Sequence, residues 1–382
     1  MTVIVFEDND AKYAVILAEL VSKGISESHV TRIDNLAQAV QISKVSVDLC
    51  IIDIRMPGVS GGSTRSTGTE LLEMLNYAGM QPVPVLAITA YPDEARSLQE
   101  AFSSRGCIIY DYDDKNIWSQ ALDVYLAQAR SRRRFDFLIL TALKEERDAF
   151  LNFPALKAVS IIYSGLNIWE VTLNGYQGAI ILLPRMGLVN AAVVTAQAIE
   201  RCGPSIVAMS GICAGLASGV ELGQLLVTDM VWEYQSGKWL NDVFEAEPYQ
   251  VTVKPEMSLV LAKLIEQEDL INNLERNFAC KFRPPKVLDA KQANFTSGSA
   301  VIASKKRLAG VKEQHRKVTG LDMELYGFHR AVELSNSSVR AFSAKVVVDK
   351  ANSAKDDSLH EYGAALSAAF VLEALKALLD PL

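Results

Sequence analysis

The chain has 382 residues, 49% of them hydrophobic and 22% charged, which is too long for one ordinary core and too apolar for a disordered chain. A net charge of −7 argues against a nucleic-acid partner. Apolar stretches such as 205–220 are broken by glycines and fall short of a membrane span, and no basic segment with an apolar signal core opens the sequence, so a cytoplasmic protein with no membrane attachment is expected. Cys50, Cys107, Cys202, Cys213 and Cys280 are scattered with no C-x-x-C pair and read as buried thiols.

Val3-Ile4-Val5-Phe6 predicts a strand, closed by Glu7 and Asp8 and followed by a helical pattern to Leu20 and Val21. Apolar runs at 48–53, 83–90 and 107–110 repeat that unit, the first ending in Asp53, the second in Thr89-Ala90, the third running into Asp111 to Lys115. Alternating strands and helices predict a doubly wound parallel sheet whose carboxyl edge binds ligands, and the polar residues collect on that edge. Gly61 to Gly68 delays the next helix and reads as an inserted loop. Arg132-Arg133-Arg134 marks a linker at 131–134 between domains at 1–130 and 135–382.

One aspartate at a strand end is commonly a loop cap, but five elements in order are more specific. The first domain resembles a response-regulator receiver with a flavodoxin-like fold. The resemblance implies Asp53 as the phospho-acceptor and Glu7, Asp8 and Asp53 as Mg²⁺ ligands. It implies Thr89 as the switch hydroxyl, Lys115 as the phosphate-pairing lysine, and a sensor histidine kinase or phosphotransfer protein as partner.

The second half restarts with a strand at 135–140 and the segment Thr141-Ala142-Leu143-Lys144-Glu145-Glu146-Arg147. Further strands are predicted at 160–163, 168–173 and 179–183, a helix at 190–201, and a strand at 205–210 running into Gly211-Ile212-Cys213-Ala214-Gly215. Asp322-Met323-Glu324 opens a later helix, the strand 344–348 ends in Asp349, and Ser358 to Glu361 fits a capping box for the last helix. His29, His315, His329 and His360 have no ligand spacing and read as surface or cap residues.

Together these segments resemble the nucleoside phosphorylase and methylthioadenosine/S-adenosylhomocysteine nucleosidase superfamily, an α/β fold with a mixed central sheet whose members are commonly oligomeric. The resemblance implies Asp349 as the acid that protonates the purine, Glu324 as the holder of the ribose hydroxyls, and Glu146 as the residue that orients or deprotonates the attacking water. It places Met323 on the sugar face and the backbone of Val301 and Ile302 on the purine edge, with Met186, Gly187 and Gly211 at the site. No cofactor is expected for this chemistry. A glutamate beside the sugar repels phosphate, so Glu146, with apolar Ile212, favours hydrolysis over phosphorolysis.

Lys144, Arg147 and Arg185 depart from the apolar or acidic pattern of methylthioadenosine enzymes and suggest an anionic 5′ group, with Lys305, Lys306 and Arg307 as further cations; solvated surface charges are the alternative. A receiver joined to such a domain resembles effectors of the Detocs type of phage defence, which implies ATP or dATP as substrate under phosphorylation control. A metabolic adenosine or methylthioadenosine nucleosidase and a non-catalytic purine sensor are the competing expectations.

Overall fold

The computed structural model describes residues 1–39, 47–78, 80, 83–131, 133–241, 243–300, 302, 305–335, 339–351 and 357–380. Two compact units are present, Met1–Arg133 and Arg134–Leu382.

Unit 1 contains β1 (Val3–Phe6), α1 (Asp10–Ser22), β2 (Val30–Ile33), α2 (Leu36–Ala39), β3 (Leu49–Ile52), β4 (Arg55–Pro57), β5 (Thr64–Ser66), α3 (Gly68–Tyr77), β6 (Val85–Thr89), α4 (Pro92–Ser104), β7 (Ile109–Asp111) and α5 (Lys115–Ser131). Five strands form a parallel sheet in the order β2-β1-β3-β6-β7. The central strands β1, β3 and β6 are apolar on both faces because both are covered, and their side chains alternate with period two, whereas the edge strands β2 and β7 are partly exposed. Val3, Val5, Leu49 and Ile51 pack with Ile16, Leu20, Trp118 and Leu122, while Ile4, Phe6, Cys50 and Ile52 pack with Leu71, Leu75 and Phe102. The stretch expected as a loop at 61–68 includes β5, which pairs antiparallel with β4.

Unit 2 contains β8 (Phe137–Thr141), α6 (Lys144–Asp148), β9 (Val159–Tyr163), β10 (Leu166–Leu173), β11 (Tyr176–Leu182), α7 (Leu188–Cys202), β12 (Ile206–Gly215), β13 (Leu225–Glu233), β14 (Gly237–Leu240), β15 (Val243–Ala246) and β16 (Val251–Thr252). Then follow α8 (Pro255–Ile265), α9 (Leu270–Glu275), β17 (Lys291–Ser297), α10 (Lys305–Glu313), β18 (Val318–Asp322), α11 (Leu325–Leu334), β19 (Arg340–Asp349) and α12 (His360–Leu379). The mixed sheet runs β16-β13-β17-β18-β12-β8-β11-β10-β9, and β19 pairs with both β12 and β13, which closes a ring of strands. One face of the sheet packs Phe137, Ile139, Ala208 and Val346 against α12; the other packs Leu138, Leu140, Met209 and Val347 against α7 and α11.

Helix α12 is long and apolar enough to cross a membrane, but 78% of its apolar window is buried in unit 2, where it serves as a core helix. The capping box expected at its start does not form. A 3₁₀ turn at Asp357–Leu359 precedes α12, Leu359 is its N-cap without a side-chain bond, and the Glu361 carboxylate accepts from the Lys281 amide instead. Within the core, Ser367 of α12 accepts from the Gly211 amide at 2.9 Å and donates to the Ala344 carbonyl at 2.8 Å, so one hydroxyl ties β12 to β19 where both approach the site.

Candidate active site

A cavity of about 240 Å³ lies where β8, β12, β18 and β19 end. The parallel strands β8, β12 and β19 bring their carboxyl ends together there, the usual position for a ligand on an α/β sheet. Ile212, Ala214, Ile302, Leu321, Val348 and Ala351 form an apolar slot, and Glu146, Asp322, Glu324 and Asp349 bring carboxylates to its rim.

Glu146 is buried, although a glutamate in so short and charged a helix would ordinarily face solvent. Its Oε2 accepts from the Ala142 and Leu143 amides at 2.8 and 2.9 Å, and its Oε1 from the Ile212 amide at 2.9 Å. Gly211 makes room for it, since a Cβ at that position would stand 2.1 Å from Glu146 Oε1. Glu324, the N-cap of α11, is buried and its Oε1 accepts from the Gly187 amide at 3.0 Å. Gly187 has φ +110°, a conformation that glycine adopts readily and that presents this amide to the carboxylate. Met323 and Met186 line the same cavity. Asp349 ends β19, is half-buried, lines the cavity, and accepts from the Ala351 amide at 2.6 Å.

Two residues that the sequence reading did not single out complete the cluster. Lys345 is fully buried in β19, its Nζ 3.6 Å from Glu324, 3.7 Å from Asp322 and 3.9 Å from Glu146. Asp322 accepts from Ser297 Oγ at 2.6 Å and from the Leu325 amide at 3.0 Å. One ammonium among three buried carboxylates leaves a net negative pocket. Burial pushes Glu146 above the ordinary carboxyl range, Lys345 opposing and Glu324 adding to the shift. Burial likewise pushes Asp322 to about 6 against the pull of Lys345. Burial alone would lower the Lys345 pKa, yet Glu146, Glu324 and Asp322 together raise it, so the side chain stays an ammonium. The sequence held a signal for it: Lys345 interrupts a valine-rich strand two and four positions before Val347 and Asp349, on the same face.

The expected 5′ cations are placed differently. Arg147 is buried with its guanidinium 4.1 Å from the Trp169 ring centroid and paired with Asp148, because an arginine in a short helix over a tryptophan gains stacking and a carboxylate together. Lys144 also pairs with Asp148, and Arg185 is exposed; none of the three lines the cavity. His360, expected to be a surface or cap residue, lines the cavity at the start of α12, its Nδ1 2.9 Å from Glu145. Val301 and the side chains of Lys305 and Lys306 lie outside the described residues, and Arg307 is exposed on α10.

In unit 1, Glu7, Asp8 and Asp53 each bring a carboxylate oxygen within 4.8 Å of the others at the ends of β1 and β3. Hard oxygens at this spacing fit a Mg²⁺ ion. Burial pushes Glu7 up to about 7, with Lys12 opposing and Asp53 adding to the shift. Thr89 is buried at the end of β6 and accepts from the Tyr91 amide at 3.0 Å, and Thr64 of β5 donates to Asp8 at 2.8 Å. Lys115 is not at this site. It lies exposed at the start of α5 and pairs with Glu19 at 3.3 Å, because the chain after β7 turns into α5 and takes the side chain toward α1.

The ring of strands around a slot rimmed by carboxylates gives unit 2 the build of an α/β enzyme. Residues 136–379 match the phosphorylase superfamily, and the chain belongs to it. It is 29% identical over the full length of both chains to the uncharacterised protein y4jS of Sinorhizobium fredii. It is 24% identical to the ATP nucleosidase Cap17 of Escherichia coli, over 63% of this chain and 50% of that protein. The fold matches the 5′-methylthioadenosine/S-adenosylhomocysteine nucleosidase of Colwellia psychrerythraea, solved in complex with adenine, with a TM-score of 0.52 and 19% identity over 64% of this chain and 96% of that one.

Proposed function

We propose that the chain is a purine nucleosidase that hydrolyses the N-glycosidic bond of ATP or dATP, releasing adenine and the sugar triphosphate, and that phosphorylation of Asp53 in a receiver-type unit controls it. The observation that carries the hydrolytic reading is Glu146, buried and fixed by three backbone amides beside Glu324 and Asp349 on one apolar slot. A fixed carboxylate there repels inorganic phosphate and orients water. In the reaction the purine occupies the slot and Asp349 donates a proton to its five-membered ring as the bond to the sugar breaks. Glu324, held by the Gly187 amide, binds the ribose hydroxyls, and Glu146 directs water at the anomeric carbon as positive charge builds on the sugar.

The likeness to Cap17 favours a 5′-triphosphate. Adenosine or methylthioadenosine is the second reading, favoured because Arg147 and Lys144 are engaged with Asp148. Control would be exercised by a histidine kinase or phosphotransfer partner, with Mg²⁺ at Glu7, Asp8 and Asp53, in a cytoplasmic homo-oligomer. The test is release of free base from ATP, dATP, ADP, AMP, adenosine and methylthioadenosine, with and without Mg²⁺ and acetyl phosphate. Preference for the triphosphates, increased by the phosphodonor in wild type and not in Asp53→Ala, supports the reading. Preference for methylthioadenosine supports the second reading, and an equal response of wild type and Asp53→Ala removes the phospho-switch.

A further inference from the structure

The cation expected beside the phospho-acceptor is missing from the end of β7, yet the acidic cluster is not without one. Lys12, in the first turn of α1, is buried, with its Nζ 2.8 Å from Asp53 Oδ2, 2.9 Å from Glu7 Oε2 and 2.8 Å from the Ile88 carbonyl. It therefore joins the ends of β1, β3 and β6, the last beside Thr89. A buried lysine with three such partners is held in place, because each partner offsets part of the cost of removing the ammonium from water. Asn9 caps α1 by accepting from the Lys12 amide at 3.0 Å, which fixes the residue's backbone as well.

We propose that Lys12, and not Lys115, is the cation that serves Asp53, pairing with its carboxylate at rest and with the phosphoryl oxygens after transfer; this rests on the receiver reading above. In the transfer from acetyl phosphate an Asp53 oxygen bonds to the phosphorus while the bridging P–O bond to the acetyl group breaks. Acetate leaves as the anion with the electron pair, and no proton is taken up. The side chain changes from a singly charged carboxylate to a doubly charged acyl phosphate, so the nearest ammonium gains most from the step. Because the same ammonium bonds Glu7 and Asp53 at rest, it also opposes a divalent ion at those oxygens.

Two effects of opposite sign follow from removing it. Full-length Lys12→Met should bind Mg²⁺ about tenfold or more tightly by calorimetry, since one positive charge has left the ligands. It should also take up phosphoryl from acetyl phosphate at saturating Mg²⁺ about tenfold or more slowly, read by intact mass with Asp53→Asn as the blank. Lys115→Met should match wild type in both measurements. A merely structural role for Lys12 would weaken both, and melting curves would report it. Unchanged Mg²⁺ affinity in Lys12→Met, or loss of phosphorylation in Lys115→Met alone, overturns the proposal. No phosphoryl uptake by wild type overturns the receiver reading instead; tighter Mg²⁺ binding by Lys12→Met would still establish Lys12 as the charge partner of Asp53.

Discussion

Substituting Gly211 by alanine tests the site's geometry with one methyl group. The added Cβ would stand 2.1 Å from Glu146 Oε1 and 2.5 Å from its Cδ, whereas an ordinary contact is about 3.4 Å, so the carboxylate has to retreat by about 1.3 Å. It cannot do so while keeping its bonds to Ala142, Leu143 and Ile212, all 2.8–2.9 Å long. A displacement of about an ångström at a group that positions the nucleophile costs roughly a hundredfold in rate. The apolar slot is not touched, so adenine should still bind. The assay is kcat and KM for base release beside calorimetric binding of adenine, with Gly219→Ala as control because its Cβ would meet nothing within 4 Å. Turnover by Gly211→Ala within twofold of wild type would refute the role given to Glu146.

Lys345→Met leaves Glu146, Asp322 and Glu324 buried without a counter-ion and should destabilise unit 2 by roughly 3–5 kcal/mol at pH 8, less below pH 6 where Asp322 takes up a proton; thermal melts at the two pH values decide it. His329 bonds Ser343 at 2.8 Å, and burial holds its pKa down at about 3. A depressed histidine stabilises the fold above pH 6.5 and loses that contribution as pH falls toward 3. The wild type should therefore lose about 2 kcal/mol more than a folded His329→Asn variant between pH 6.5 and 5, and parallel melting curves would contradict this. Arg147→Ala should lower the melting temperature through loss of the Trp169 stack while leaving the preference for ATP over adenosine unchanged; melting curves and kcat/KM for both substrates check the two statements.

The strands of unit 1 that are buried on both faces were legible because they are continuous apolar runs, whereas β2 was not. Val30 to Ile33 is a half-exposed edge strand; three of its four residues are β-branched, but it is short and Thr31 and Arg32 break it, so it offers no continuous apolar run. Glu146, Glu324 and Asp349, which line one cavity, stand out in the sequence as types in order, but their surroundings do not, because the amides that hold Glu146 come from residues 142, 143 and 212. The engagement of the cations was hidden for a related reason. Charge on Arg147 and Lys144 is visible in the sequence; the Asp148 and Trp169 that engage it are matters of packing. Lys12 was passed over because a lysine in the first turn of a helix is ordinarily solvated, and only the convergence of β1, β3 and β6 buries it.

Hydrolysis at this cavity would break the N-glycosidic bond with water and without phosphate. Chromatography of ATP incubated with the purified full-length chain in phosphate-free buffer, alongside Asp349→Asn and with acetyl phosphate and Mg²⁺ present, tests it most directly. Free adenine and ribose 5′-triphosphate should appear in equal amounts from the wild type, with a rate lower by about two to four powers of ten in Asp349→Asn. Intact ATP, or base release that needs inorganic phosphate and yields a sugar 1-phosphate, would contradict it.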